Sequence, residues 1–254
     1  MCILRSILCL FICCSFLPFY SRAQIVNIEK SRMQSDTTGW MGSAGAALSL
    51  TKNTQQVFSS DLDTHLQYKS AKSLYLILGS YGFLKGANNR LIDHAFLHFR
   101  YNYKMSKVVR WELFTQLQKN TITLIKSRFL LGTGPRFKIF SNKTLRLYAG
   151  TLIMYEQEQE TGSLPILHKD VRNSNYFSFS FTPNKMLEII STSFYQPLLK
   201  QWNDCRFLTQ ISVKAKAGKQ LAVKINWNYL NDPFPAKGIP SVNYSLSTGV
   251  EYDF

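Results

Sequence analysis

Two stretches of the chain hold residues whose types and spacing suit acid-base chemistry. Asp61, Asp63 and His65 occupy alternate positions in one, and His94, His98 and Arg100 share one face with Phe96 in the other. A carboxylate beside an imidazole is the minimum of a general acid-base pair, and a serine within hydrogen-bond reach would complete a hydrolytic site. No serine here carries a recognisable nucleophile motif. Two histidines four residues apart on a strand have Cα atoms roughly 13 Å apart, too far to share a metal ion. No CxxC pair or His-rich cluster offers another metal site. Gly132-Thr-Gly-Pro135 superficially resembles a phosphate loop, but no Gly-Lys-Ser/Thr follows it. The expectation is a non-enzymatic protein without cofactor or metal. The alternative is a lipid-modifying hydrolase or acyltransferase that depends on His65 or His94.

The elements that must position these residues have a period of two. From Val242 to the end, Val242, Tyr244, Leu246, Thr248, Val250, Tyr252 and Phe254 fall on one face, and Asn243, Ser245, Ser247, Gly249, Glu251 and Asp253 on the other. Similar alternation predicts twelve strands: Gly42–Lys52, Val57–Lys69, Ser73–Lys85, Arg90–Lys104, Val108–Lys119, Ile125–Phe140, Thr144–Gln157, Asn173–Thr182, Met186–Gln196, Cys205–Lys216, Gln220–Asn231 and Ser241–Phe254. Most exceed the five or six residues usual in globular strands and are long enough to cross a bilayer at a tilt. No segment supports a long amphipathic helix. The even-numbered connections are short, among them Ser70-Ala71-Lys72 and Ser141-Asn142-Lys143, whereas Glu158–Arg172, Pro197–Asp204 and Asp232–Pro240 read as long loops. This alternation predicts an all-β fold, a closed transmembrane antiparallel up-and-down β-barrel of about 12 strands. A soluble secreted β-protein is the rival fold.

Alternation also assigns the faces. Phe129, Leu131, Thr133, Phe137 and Ile139 oppose Arg128, Gly132, Gly134, Arg136 and Lys138, and the tenth strand repeats the pattern. The first set suits lipid, and the second belongs in a polar lumen. The predicted lumen carries Arg100, Arg110, Arg128, Arg136, Lys138, Arg146, Arg206, Lys214, Lys216 and Lys224, opposed by Asp61, Asp63, Glu112, Glu156, Glu188, Glu251 and Asp253. If water runs through, the excess positive charge predicts weak anion selectivity. Tyr68, Tyr101, Tyr103, Tyr252 and Phe254 mark one aromatic girdle, and Tyr155, Tyr195, Trp227 and Tyr229 the other.

Arg5, the apolar run to Tyr20 and Ser21-Arg22-Ala23 read as a signal peptide over residues 1–23, followed by a flexible polar leader over 24–41. Four of the five cysteines lie within that signal, leaving Cys205 alone and excluding an internal disulfide. The net charge is +15, and +13 without Arg5 and Arg22. The cations are scattered without a dense basic run, which argues against nucleic-acid binding. The expected surroundings are outer-membrane lipid and lipopolysaccharide, with barrel-assembly machinery acting during biogenesis. Oligomeric state is not legible.

Three stretches together resemble a family. They are Gly42-Ser-Ala-Gly-Ala-Ala-Leu-Ser-Leu-Thr, Leu131-Gly-Thr-Gly-Pro-Arg-Phe, and Asn231-Asp-Pro-Phe-Pro with the closing Ser-Leu-Ser-Thr-Gly-Val-Glu-Tyr-Asp-Phe. Over about Trp40 to Phe254 the chain is similar to the salt-induced outer-membrane proteins, a domain family of unknown function. The resemblance implies a bacterial outer-membrane barrel, porin-like in fold, without established catalytic residues; the basic charge departs from that pattern.

A terminal Phe after a period-two strand is similar to the signal that barrel-assembly machinery reads. Deleting Phe254 is expected to lower the amount of protein in the outer membrane and to raise periplasmic degradation. Immunoblots of membrane and soluble fractions check this, and normal insertion of the truncated chain would count against the barrel.

Overall fold

The computed structural model describes residues 38–52, 56–85, 91–161, 166–184, 186–218 and 221–252. They form twelve strands: β1 (Gly39–Lys52), β2 (Gln56–Lys69), β3 (Ser73–Lys85), β4 (Leu91–Lys104), β5 (Val109–Asn120), β6 (Ile125–Ser141), β7 (Leu145–Glu160), β8 (Leu167–Asn184), β9 (Leu187–Leu198), β10 (Gln201–Lys216), β11 (Leu221–Asn231) and β12 (Val242–Tyr252). Each is antiparallel to its sequence neighbours in one sheet that runs in order from β1 to β12. No helix occurs among the described residues. The near rim of the sheet is where β1 starts and β12 ends; the far rim carries the β1–β2, β3–β4 and later odd-numbered connections.

The sheet is curled, because side chains meet across strands that are not neighbours. Tyr176 of β8 reaches Glu112 of β5, and Arg206 of β10 reaches Glu156 of β7. Residues of opposite parity separate cleanly along the strands. In β5, Glu112 and Phe114 are buried on the concave side, whereas Trp111, Leu113 and Leu117 are exposed on the convex side. The predicted signal peptide, leader residues 24–37, Asp253 and Phe254 lie outside the described residues, as do the side chains of Lys224, Glu251 and Tyr252.

Several boundaries differ from those expected. β1 begins at Gly39, so that Trp40 and Met41 belong to the strand and Trp40 pairs with Tyr68. The predicted loops Glu158–Arg172 and Pro197–Asp204 are mostly strand. β7 runs to Glu160 and β8 starts at Leu167, while only Leu199 and Lys200 separate β9 from β10. The end of β7 alternates polar with polar, since Glu156, Glu158 and Glu160 interleave with Gln157 and Gln159, and in the second segment Pro197 and the adjacent Leu198 and Leu199 break the alternation. Strand ends that need no apolar face lose the hydropathy contrast that reveals a strand, yet their backbone ladder continues. Long loops at the far rim are therefore replaced by long hairpins, apart from residues 232–241. The expected closure is also absent: among the described residues the ladder stops at β1 and β12. β1 is rich in glycine and alanine, which offer little side-chain packing to fix the register of a closing pair.

Short near-rim turns hold the strands together. Ser106 Oγ accepts hydrogen bonds from the Val108 and Val109 amides at 3.2 and 2.9 Å. Asn142 Oδ1 does the same for Thr144 and Leu145 at 2.8 and 2.6 Å, and Asn184 Oδ1 for Met186 and Leu187 at 2.8 and 3.0 Å. A short polar side chain thus satisfies amides that the ladder cannot reach at a reversal.

Pro135 has a place in this ladder. Its pairing with Trp111 of β5 is unbroken, whereas the β6–β7 pairing passes from Thr133 to Arg136. The donor that proline lacks therefore falls where the ladder already opens. At the same point a Cβ on Gly134 would collide with the Thr151 carbonyl oxygen and lie 2.7 Å from Leu152 Cα, both backbone atoms. Gly134→Ala is accordingly expected to cost about 1–3 kcal/mol through forced backbone shifts. Gly79→Ala should cost less, because its nearest obstacle is the rotatable Thr64 Oγ1 at 2.7 Å. Denaturant titration of both variants in detergent checks the order, and equal stabilities would refute it.

Candidate functional site

The concave side of β4 to β11 is layered. Towards the far rim lies an ionic layer centred on Glu156. Its carboxylate receives Arg128 Nη2 at 2.7 Å, Arg206 Nη1 at 2.5 Å and Arg172 Nε at 2.9 Å. Arg172 also grips Asp204 with both terminal nitrogens, at 2.9 and 3.2 Å, a bidentate fork. Arg206 Nε holds Asp232 at 2.6 Å, and Glu158 Oε2 lies 3.3 Å from Arg128 Nε. Strands β6, β7, β8 and β10 and the start of the β11–β12 connection are thereby tied through one carboxylate.

Nearer the other rim a second layer surrounds Glu112, which is 0% exposed. Arg100 Nη1 lies 3.0 Å from it and Arg136 Nη1 3.7 Å. Tyr176 donates its hydroxyl to Glu112 at 2.7 Å and accepts from Arg136 at 3.1 Å. The Arg136 guanidinium also sits 4.0 Å from the centre of the Tyr148 ring, a cation–π contact.

Between the layers runs an apolar belt of Phe114, Leu130, Leu152, Met154 and Tyr176, with Phe194 against it. Gly132 and Gly150 make room for its rings: a Cβ at either would strike Phe114 or Tyr176. Leu76, Leu78 and Phe96 form a second apolar group on β3 and β4. His98 joins the two, stacked between Phe96 at 6.0 Å and Phe114 at 5.6 Å. Its Nδ1 lies 3.1 Å from Gln116 Oε1, and Arg100 donates to its Nε2 at 3.4 Å. On the far side of the belt is a cavity of about 140 Å³, flanked by Asn120 and Arg206 and roofed by Pro235, Ala236 and Ile239.

The structure places Asp61, Asp63, His65, His94, His98, Arg100, Arg110, Glu112, Arg128, Arg136 and Lys138 on the concave face but does not bring them together as one site. Asp61 faces His94 rather than His65, at 3.7 Å across the gap left by Gly82. His94 and His98 have separate partners. Tyr68, Tyr101, Tyr103, Tyr155, Tyr195, Trp227 and Tyr229 share strand parity with the exposed convex-face residues. Trp40, Tyr68, Tyr75 and Tyr101 form a run of ring contacts at 4.9, 6.2 and 4.9 Å along the near rim. Sequence reasoning missed Arg172, Glu158, Asp204 and Asp232, because it placed them in loops or at loop borders. The signal available was the unbroken alternation of Glu156, Glu158 and Glu160.

Breaking a buried ion pair by removing one partner costs about 3–5 kcal/mol, because the charges left behind stay buried. Glu156→Ala strands three guanidiniums and is expected to lose at least that much. Glu160→Ala breaks only a pair with the exposed His168 and should cost under about 1 kcal/mol. Urea midpoints in micelles separate the two, and a mild effect at Glu156 would refute its central place.

The fold is similar to that of the NanC porin, with a TM-score of 0.51 at 9% identity over 84% of this chain and 99% of that chain. It is likewise similar to the translocator domain of the autotransporter NalP from Neisseria meningitidis, with a TM-score of 0.50 at 12% identity over 86% of this chain and 90% of that one. At such identities the likeness is one of fold, the antiparallel up-and-down architecture of outer-membrane β-barrels. A search of curated proteins finds no match. Residues 42–254 match the family described as "Protein of unknown function, DUF481", and the chain belongs to that family.

Proposed function

We propose that the protein is a non-enzymatic barrel of the bacterial outer membrane with a structural role in the envelope, its interior closed by its own side chains. The observation that carries this reading is the dryness of the interior: Glu112, Glu156, Arg136 and Arg172 are each no more than 2% exposed. Charged groups lining a water-filled channel would be wet. Between the two rims the apolar belt adds a layer that ions cross only at high cost. This favours a structural or binding barrel over a constitutive pore.

The convex face supports the membrane setting. Leu62, Leu97, Leu117, Leu131, Ile153 and Phe177 are each more than 40% exposed there. A continuous apolar surface of that kind is stable against lipid and a liability in water. On this reading the near rim faces the periplasm, the far rim faces outward, and assembly machinery inserts the chain. The salt-induced branch of the resemblance belongs to the proposal too, and transcript levels under osmotic shift would test it.

In planar bilayers the native protein is expected to show no steady stepwise conductance, whereas Phe114→Ala with Leu152→Ala opens the belt and admits current. Anion-selective conductance in the native protein would replace the structural reading with a small pore.

A further inference from the structure

The cavity on the far-rim side of the belt has walls of two kinds. Phe114, Leu130, Leu152 and Met154 make an apolar floor, with Phe194 beside them. The charged groups around it are already matched, Arg100 with Glu112, Arg128 with Glu158, and Arg206 with Asp232. Its glutamines are engaged as well. Gln116 Oε1 lies 3.1 Å from His98 Nδ1, Gln116 donates to Gln118 at 3.3 Å, and Gln196 donates to Ser174 at 2.9 Å.

Two buried polar atoms of lining residues have no such partner: Asn120 Nδ2 and Thr123 Oγ1. Arg128 Nε also lacks a hydrogen bond, but it faces Glu158 Oε2 at 3.3 Å as an ion pair. Asn120 is 1% exposed and cannot turn its amide over. Its Oδ1 accepts from the Ile122 and Thr123 amides at 3.0 and 3.4 Å, so exchanging oxygen for nitrogen would set donor against donor. The turn that carries Thr123 is equally fixed. The Asp93 carbonyl accepts from both the amide and the hydroxyl of Thr121 at 3.1 Å, and the Leu124 carbonyl accepts from the Thr161 amide at 2.7 Å. Neither orphan atom can therefore find a partner by a small local movement, and leaving such groups unmet is costly.

The two kinds of wall select among ligands. An ion entering the cavity would lose its water and find every opposite charge already shared. A sugar brings several hydroxyls, each of which needs a partner, against two unmet wall atoms. A hydrocarbon suits the floor but leaves both atoms unmet. A single hydroxyl meets both, because its oxygen can accept from Asn120 Nδ2 while its proton is donated to Thr123 Oγ1. Size points the same way. The volume of about 140 Å³ is close to the ~150 Å³ of an apolar cavity that takes up benzene, which leaves room for one ring and little more.

We propose that the cavity is a binding site for a small uncharged alcohol or phenol, its apolar body resting on the belt and its hydroxyl bridging Asn120 and Thr123. The proposal rests on the closed-interior reading above, since the belt that stops ions is also the floor that holds the ligand. Pro235, Ala236 and Ile239 cover the cavity from the far rim. A ligand enters from that side and is retained rather than passed through.

The test uses the folded protein in detergent micelles. Fluorine NMR follows para-fluorophenol and its methyl isostere para-fluorotoluene, with affinities referred to free aqueous ligand and corrected with a micelle blank. A saturable bound resonance is expected for para-fluorophenol, with an affinity about tenfold above that of para-fluorotoluene, because only the phenol forms the two hydrogen bonds. Thr123→Val keeps the shape of the wall and removes a hydroxyl that has no hydrogen bond within the protein, so the fold is retained. It should lower the affinity for para-fluorophenol about fivefold and leave para-fluorotoluene unchanged. Ala236→Phe fills the cavity from the roof, outside the strand ladder, and should abolish binding of both. Para-fluorobenzoate and a fluorinated monosaccharide should not bind. Absence of a saturable resonance in the native protein means that the two atoms take water only, and overturns the proposal. Equal affinity for phenol and toluene, or a phenol affinity unmoved by Thr123→Val, overturns it too and leaves a merely apolar cavity. Binding that survives Ala236→Phe places the probe elsewhere, and tighter binding of the benzoate or the sugar assigns the cavity to another ligand class; both overturn the proposal. None of these results touches the closed interior. Steady conductance of the native protein in planar bilayers would overturn that reading and the proposal with it.

Discussion

The interior depends on one arrangement, a buried carboxylate shared among guanidiniums from several strands. A lone ion pair in a dry interior gains little over well-packed apolar side chains, because desolvation consumes most of the attraction. Glu156 differs in having three partners at 2.5 to 2.9 Å, from β6, β8 and β10. None of β6, β7, β8 and β10 can shift register without uncovering a charge. The apolar belt alone would tolerate a slip of one side chain into a neighbour's place, since Leu, Met and Phe have no directional demand. The carboxylate supplies direction and the belt supplies the dryness that makes direction matter. Glu112 repeats the device at the other end, with a tyrosine hydroxyl completing the shell.

Much of the architecture was legible because a strand with one apolar and one polar face has the simplest of all sequence patterns. Wherever the convex face must be apolar, as at Phe129 to Ile139 or Phe207 to Ala215, period two stands out and fixes which side chains turn inward. Legibility ended where that demand ends. Beyond the apolar band the convex face of β7 carries Tyr155, Gln157 and Gln159, contrast vanishes, and strand looks like loop. The residues that organise the far ionic layer sit in just those segments, so Arg172 and Asp204 escaped. The inward assignment of Glu156 and Arg206 could be read from parity, but not that they meet, because they stand on strands three apart in order. Contacts across a curled sheet depend on how tightly it curls, which no local pattern encodes.

The interior histidines show the same limit from another side. Spacing along one strand paired His65 with Asp61 and Asp63, yet the neighbour that counts is lateral. Gly82 lies between Asp61 and His94 in the ladder and has no side chain to separate them, so the pair forms across it. A residue two strands away is closer than one four places along, a comparison available only once registers are known.

The strands differ greatly in length. β8 has 18 residues and β7 has 16, whereas β11 and β12 have 11 each. At about 3.3 Å per residue the longest exceeds the shortest by roughly 20 Å along the strand. Since the near rim is held level by short turns, nearly all of that difference emerges at the far rim. The mouth is therefore a slope, tall at the β7–β8 hairpin and low at β11 and β12, where the folded connection of residues 232–241 lies. A bulky polymer lying over the surface would be propped off the low side by the tall one, as a tent pole lifts canvas. Whatever small solute reaches the protein from that side has a sheltered approach over β11 and β12, beneath the eave and above the roof of the cavity.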